Sequence, residues 1–373
     1  MKIGTISLNI NAPDFNYGAI LHSWAFQNYL KRLDIVTYTE IIDYTMPTLE
    51  GQNLQYPFFQ DLMEGHLKRC IYDLKVWNLY QSRYRKFQSF IKNEMQTSKI
   101  KYVQSKLETA KLNYDCIICE SDVIWSPGFS GGHFDKSFFL ALESMSNMKR
   151  IAYAPSMSDG DLTENQKNEL KKLLIYPQYI SCRESYEKNI LEKYTDKKVT
   201  HVMDPVFLLN SQDYNAICGK KLTNQRYLLL YLPVDDNPAL RKHALLYATS
   251  HNLRIIEIST HLKNYKTENG MCIGDAGIGD FLSAIKYADV VFTNSFHAIC
   301  FSIIFNTQFY AFSRAYAGKV KDICDVFGLQ ERYFEDNSFC EKSPIDYSSI
   351  NVIKEKLTAK SEKWLISALM EER

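Results

Sequence analysis

The stretch from Ala288 to Phe305, ADVVFTNSFHAICFSIIF, leaves few folds open. A short apolar run, Val290 to Phe292, meets a polar knot, Thr293-Asn294-Ser295, and a second run, Ala298 to Phe305, has the length of a buried helix. Strand, turn and helix in that order belong to an open α/β sheet. There the carboxyl end of a strand faces the ligand crevice, and the following helix aims its unpaired N–H groups at the same place. His297 stands at that turn. The local pattern alone is met more simply by a core histidine that ends a strand and bonds a neighbouring carbonyl.

The same grammar runs through the rest of the chain. Lys2 to Ile10 predicts a strand, Ala19 to Leu33 a helix and Val36 to Ile42 a second strand, the opening of a parallel sheet. Further strands are predicted at Tyr114 to Cys119, Ile151 to Ala154, Tyr179 to Cys182 and Val199 to Val202. After Leu209 the pattern restarts with strands at Tyr227 to Leu232, Arg254 to Ile258, Val290 to Thr293 and Gln308 to Phe312, separated by helices. The expected fold is α/β, two Rossmann-like domains facing a central cleft. Their expected bounds are 1–210, with a helical insertion over about 57–110, and 211–345; a last helix in 346–373 is long enough to pack back on the first domain.

Composition removes several functions. A net charge of +1, from 44 basic and 43 acidic residues, gives no field to gather nucleic acid, so an anionic ligand needs a local cluster. The N-terminus, MKIGTISLNI, lacks the pattern of a signal peptide, and no apolar run approaches the ~18 residues of a membrane span. The expected location is cytoplasmic. Nine cysteines lie scattered through apolar segments, as reduced core thiols do. Cys116-Ile117-Ile118-Cys119 has CxxC spacing but sits inside a predicted strand with no second pair near it, so no metal is expected. Phe58 to about Thr97 reads as one or two helices rich in bases, including Lys68, Arg69 and Lys75. Such a helix is most simply a solvated face packed through its aromatics; contact with anionic lipid at the cytoplasmic membrane face is the second reading.

Several strand ends carry chemistry. Glu120-Ser121-Asp122 with Trp125 has the composition of a sugar-contacting edge, carboxylate for hydroxyls and indole for a ring face, and equally of a helix cap. Arg183 follows a strand directly; its fork suits a carboxylate or phosphate, or an ion pair with Glu184 or Glu187. Gly18 before a helix allows close approach of an anion, or is simply a turn. Gly274 to Gly279 is glycine-rich enough to suggest a diphosphate loop, but no clear strand precedes it.

Taken in order, Asn16-Tyr17-Gly18-Ala19, Asp115 to Trp125, Ala152-Tyr153-Ala154-Pro155-Ser156, Arg183-Glu184, Asp204-Pro205 and Thr293-Asn294-Ser295-Phe296-His297 resemble the polysaccharide pyruvyltransferase family, over Ile3 to about Leu329. The resemblance implies a GT-B-like pair of domains. It also implies transfer of a pyruvyl group from phosphoenolpyruvate to two hydroxyls of a sugar, giving a cyclic ketal and phosphate. The acceptor would be a surface glycan or its lipid-linked precursor, and no cofactor beyond the co-substrate is expected. Arg183 matches the family's functional arginine, as an anion ligand, and His297 its histidine, in proton transfer. Asn16, Tyr17, Gly18, Ser121, Asp122, Trp125, Asn294 and Ser295 are expected to contact substrate.

The sequence also departs from the family. Ser295-Phe296 stands where one branch carries Arg-Leu, so a donor-binding cation must come from elsewhere, and Arg314 or Lys319 is expected to supply it. Glu120-Ser121-Asp122-Val123 replaces a Gly-Ser-Asp-Gln, which bears on the acceptor. A nucleotide-sugar glycosyltransferase and a non-catalytic glycan-binding protein remain the other two readings.

Overall fold

The computed structural model describes residues 1–373 except 12–14, 54, 57–61, 63–64, 158–161, 235–237, 260–264, 268, 314–316, 336–338 and 372–373. The chain divides into two compact units. The first comprises Met1–Glu50, Ile91–Leu209 and Val352–Arg373, the second Gly51–Phe90 and Asn210–Asn351.

The first unit is built on strands β1 (Lys2–Ile6), β2 (Tyr38–Thr45), β3 (Thr97–Val103), β4 (Cys116–Glu120), β5 (Lys149–Tyr153), β6 (Tyr179–Cys182) and β7 (Val199–His201). They lie in the order β3-β2-β1-β4-β5-β6-β7, and every pairing is parallel. A parallel sheet covered on both faces requires apolar residues at successive positions rather than alternate ones. Cys116, Ile117, Ile118 and Cys119 are accordingly all buried, both cysteines as free thiols. Helix α1 (Tyr17–Leu30) follows β1 and is buried along almost its whole length, so it carries polar side chains such as His22, Ser23 and Gln27 into the interior.

The second unit repeats the plan. Strands β8 (Tyr227–Tyr231), β9 (Arg254–Ile258), β10 (Tyr265–Thr267), β11 (Gly270–Ile273), β12 (Val290–Thr293), β13 (Gln308–Phe312) and β14 (Tyr333–Phe334) take the order β10-β11-β9-β8-β12-β13-β14. Only the edge pair β10–β11 is antiparallel among the described pairings. The long helix α2 (Leu67–Glu94) belongs to this unit through Phe90.

That placement corrects the expectation of an insertion over 57–110 in the first domain. Ser82 Oγ donates to Asp275 at 2.6 Å, Lys86 Nζ lies 3.1 Å from Asp280, and Arg83 Nη1 reaches the Ser259 carbonyl at 3.4 Å, so side-chain pairs fasten α2 to the second sheet. Residues 97–103 form β3, the outer strand of the first sheet, instead of continuing the helix.

Helix α3 (Phe296–Phe305) starts directly after β12. The Ser295 hydroxyl caps it by accepting from the Ala298 N–H, and Asn306 closes it in the left-handed conformation, φ 58°. Helix α4 (Tyr347–Met370) ends the chain, and from Val352 onward it groups with the first unit. Lys149 Nζ donates to the carbonyls of Ala368 and Leu369 at 3.2 and 2.8 Å, where the last turn of a helix leaves acceptors and partial negative charge. The Met203 N–H donates to Ser361 Oγ at 2.9 Å.

Candidate functional site

In each sheet the chain lays strands outward in one direction and then returns to continue on the other side of its first strand. The loops at such a crossing point diverge beyond the carboxyl ends of the strands, and ligands of open α/β sheets bind there. The crossings lie between β1 and β4 in the first unit and between β8 and β12 in the second.

At the second crossing Thr293 pairs in register with Tyr231. The Thr293 hydroxyl donates to the Tyr231 carbonyl at 2.6 Å and accepts from the Ser295 N–H at 3.0 Å, which turns the chain into α3. Asn294 Oδ1 accepts from the Val234 N–H at 3.3 Å and ties together the loops that leave the two strands. His297 follows in the first turn of α3, 8% exposed, with its ring edge-on to Phe296. The helix begins two residues earlier than its apolar run suggests, so His297 is part of the helix and sits where the dipole is positive. An imidazole here stands at the crossing beside a hydroxyl and an amide.

The first crossing is charged. Glu120, the last residue of β4 and fully buried, receives His22 Nδ1 at 2.7 Å and the hydroxyl of Ser23. His22 Nε2 faces Asp122 Oδ2 at 3.9 Å. Burial opposes the His22 imidazolium, but the carboxylates of Glu120, Asp122 and Asp204 overcome it and hold its pKa above the ordinary histidine value. Burial pushes the Glu120 carboxyl up, while His22 and Ser23 draw it back.

Ser121 and Asp122 both adopt positive φ, 48° and 57°, a conformation costly for side-chain-bearing residues. Bonds from Ser121 N–H to the Tyr153 carbonyl and from Ser156 N–H to the Asp122 carbonyl, each 2.9 Å, hold the turn. The Ser121 hydroxyl donates to Asp204 at 2.7 Å.

Arg183 sits deeper in the same cluster. Its side chain is 2% exposed, with Nε on Glu184 at 2.7 Å and Nη1 on Asp204 at 3.4 Å. Burial works against its charge, yet Glu184, Asp204 and Asp122 raise its pKa above the ordinary arginine value. Glu187 accepts from the Met157 N–H at 2.8 Å, and burial, then the Glu184 carboxylate, keep its own carboxyl protonated well above the ordinary range. His22 and Arg183 thus face the acidic side chains of Glu120, Asp122, Glu184 and Asp204. An acid-rich cluster of this kind repels a phosphate.

Several residues expected to contact substrate have partners inside the protein. Arg183 forms buried ion pairs with Glu184 and Asp204. Trp125 offers no face to a sugar: it is 0% exposed, donates its indole N–H to the Phe138 carbonyl at 3.0 Å and stacks on Phe139 at 4.7 Å. Tyr17 and Gly18 are buried in the first turn of α1, and Asn16 Oδ1 accepts from the N–H groups of Gly18 and Ala19 at 2.9 and 3.3 Å, so the side chain at this helix start answers them. Ser121 is bonded to Asp204, and Asp122 remains at the edge of the cluster, 6% exposed. Lys319 lies partly exposed on the helix Ala317–Val326 after β13, and Arg314 lies outside the described residues. Among the described residues no group of histidine, cysteine or acidic side chains has the arrangement of a metal site.

The glycine-rich segment Gly274 to Gly279 does follow a strand, β11, and it opens the helix Ile278–Lys286. Its opening N–H, on Gly277, donates to the Asp280 carboxylate at 2.9 Å, and Lys86 packs against Gly277. An aspartate in that first turn occupies the place a diphosphate would need.

Fold and strand ends together define a GT-B-like protein of two Rossmann-like α/β units with a histidine-bearing crossing in the second. The family model of polysaccharide pyruvyl transferases matches residues 16–316, and the chain belongs to that family. No match was found among curated protein sequences. Among solved structures it is similar to the UDP-GlcNAc 2-epimerase from Methanocaldococcus jannaschii, at 12% identity and TM-score 0.52, over 96% of this chain and 93% of that one. It is also similar to the UDP-GlcNAc 2-epimerase from Neisseria meningitidis bound to UDP-GlcNAc, at 10% identity and TM-score 0.51, over 100% and 95%. Identities this low concern the fold alone.

His22 and Ser23, which lie on α1 among apolar residues, join the first crossing without being among the expected site residues. A histidine–serine pair set between the apolar residues Leu21 and Trp24 is the signal the sequence offers.

Proposed function

We propose that the protein transfers the enolpyruvyl group of phosphoenolpyruvate to two hydroxyls of a sugar in a cell-surface polysaccharide or its lipid-linked precursor. The methylene carbon of the enol takes up a proton, the adjacent carbon becomes oxocarbenium-like, and one sugar hydroxyl attacks it. Phosphate then leaves, and the second hydroxyl closes the ketal. Of the two hydroxyl protons released, one balances the new methyl group and the other leaves with phosphate. His297, in a chain of this family and at the β8–β12 crossing, is the observation that carries the reading. An imidazole has the pKa to serve either proton transfer.

The donor's phosphate and carboxylate are expected near the positive end of α3, with the cation supplied by Lys319 or Arg314 in place of the missing arginine at Ser295. The test incubates the protein with phosphoenolpyruvate and a panel of simple galactosides, glucosides and mannosides. Phosphate is measured, and the sugars are weighed by mass spectrometry for pyruvate addition with loss of water. Thermal stabilisation by phosphoenolpyruvate and none by UDP-sugars is expected. Stabilisation by a UDP-sugar alone would favour a nucleotide-sugar enzyme instead.

A further inference from the structure

Helix α2 displays an apolar edge that the rest of its unit does not cover. Leu67, Ile71 and Leu74 are 64%, 55% and 59% exposed, and at helical spacing they fall with the exposed Asn78 within about 60° of arc. The neighbouring arc holds Lys68, Tyr72 and Lys75, all exposed. The other flank of the edge is packed: Cys70 and Gln81 are buried, and Trp77 stacks between Tyr56 at 5.7 Å and Tyr80 at 6.2 Å. Over these residues the sequence carries Lys68, Arg69 and Lys75 against Asp73 alone, in a protein whose net charge is only +1.

We propose that this edge of α2 seats on an anionic bilayer surface, its leucine and isoleucine side chains entering the acyl boundary and its bases meeting lipid headgroups. The inference is independent of the reaction proposed above. A narrow apolar edge flanked by long bases and a tyrosine suits the headgroup region, where lysine stems lie along apolar surface and their ammonium groups stay wet. The local excess of bases is complementary to anionic lipid. Contact is edgewise, since no helix among the described residues is long and apolar enough to cross a membrane.

Vesicle sedimentation of the full chain tests it, with phosphatidylglycerol–phosphatidylcholine vesicles against phosphatidylcholine alone, at low and high salt. Binding to the anionic vesicles, weakened by salt, is expected. Ile71→Glu should lower partitioning about tenfold or more. Lys68→Gln with Lys75→Gln should lower it about thirtyfold, at about 1 kcal/mol for each charge. Melting temperatures of both variants should stay at the wild-type value, because the replaced side chains are exposed. Absence of binding, or binding that neither variant weakens, overturns the proposal. So does a wild-type dimer that Ile71→Glu converts to monomer, which would assign the edge to a second copy of the chain.

Discussion

Between β1 and β4 the strand ends carry a buried network of imidazole, guanidinium and acidic side chains, whereas between β8 and β12 they carry a hydroxyl, an amide and one histidine on an apolar helix. The two sheets are wound alike, so the backbone sets the two crossings in the same place and the side chains set their chemistry. At the first crossing Arg183 and His22 each have an acidic side chain against them, and the polar groups hold the strand ends to one another. At the second the backbone turn is held through Thr293, Asn294 and Ser295, and an imidazole stands at the start of a helix.

That contrast breaks most readily at His297. His297→Ala should lower phosphate release by about 10²- to 10⁴-fold, the usual worth of a positioned acid–base group, with an unchanged melting temperature. Near-normal turnover would remove His297 from the mechanism and leave the second crossing without a catalytic group.

Arg183→Met tests the other side. Removing one partner of a buried pair strands Glu184 and Asp204, so unfolding should become easier by about 3–5 kcal/mol in urea titrations. The Michaelis constant for phosphoenolpyruvate in the folded fraction should stay near the wild-type value. A stable variant with a greatly raised constant would return Arg183 to the donor site.

A smaller effect is expected from pH. Glu187 and His22 both have folded pKa values raised above their ordinary 4.5 and 6.5, so the folded chain binds their protons more tightly than the unfolded one. Their contribution is complete below those ordinary values and is lost as pH rises through the raised ones. Stability should therefore fall on the alkaline side, and Glu187→Gln, neutral at every pH, should flatten the fall. The same slope in wild type and variant would mean that the Glu187 proton is not held by the fold.

Much of the second crossing was legible in the chain. The run from Val290 to Phe305 specifies its own strand, cap and helix through neighbours a few residues apart, and Ser295 caps the helix that puts His297 in its first turn. Helix 238–250 and the strand at 254–258 were equally local. The first crossing was legible only as a set of polar residues at strand ends. Whether Arg183 meets a ligand or Asp204, and whether Trp125 meets a sugar or Phe139, depends on partners brought together by sheet order, as Glu120 is brought to His22 from ninety-eight positions away.

The sequence by itself determined the alternation of strands and helices, the two-unit plan and the turn that carries His297, because periodicity, caps and turn residues act over a few positions. The tertiary structure alone decided that residues 51–90 belong with the second unit, that Arg183 and Trp125 are interior, and that α2 keeps an apolar edge uncovered. Burial and ion pairing are settled between residues far apart in the chain, and no local pattern contains the identity of the partner.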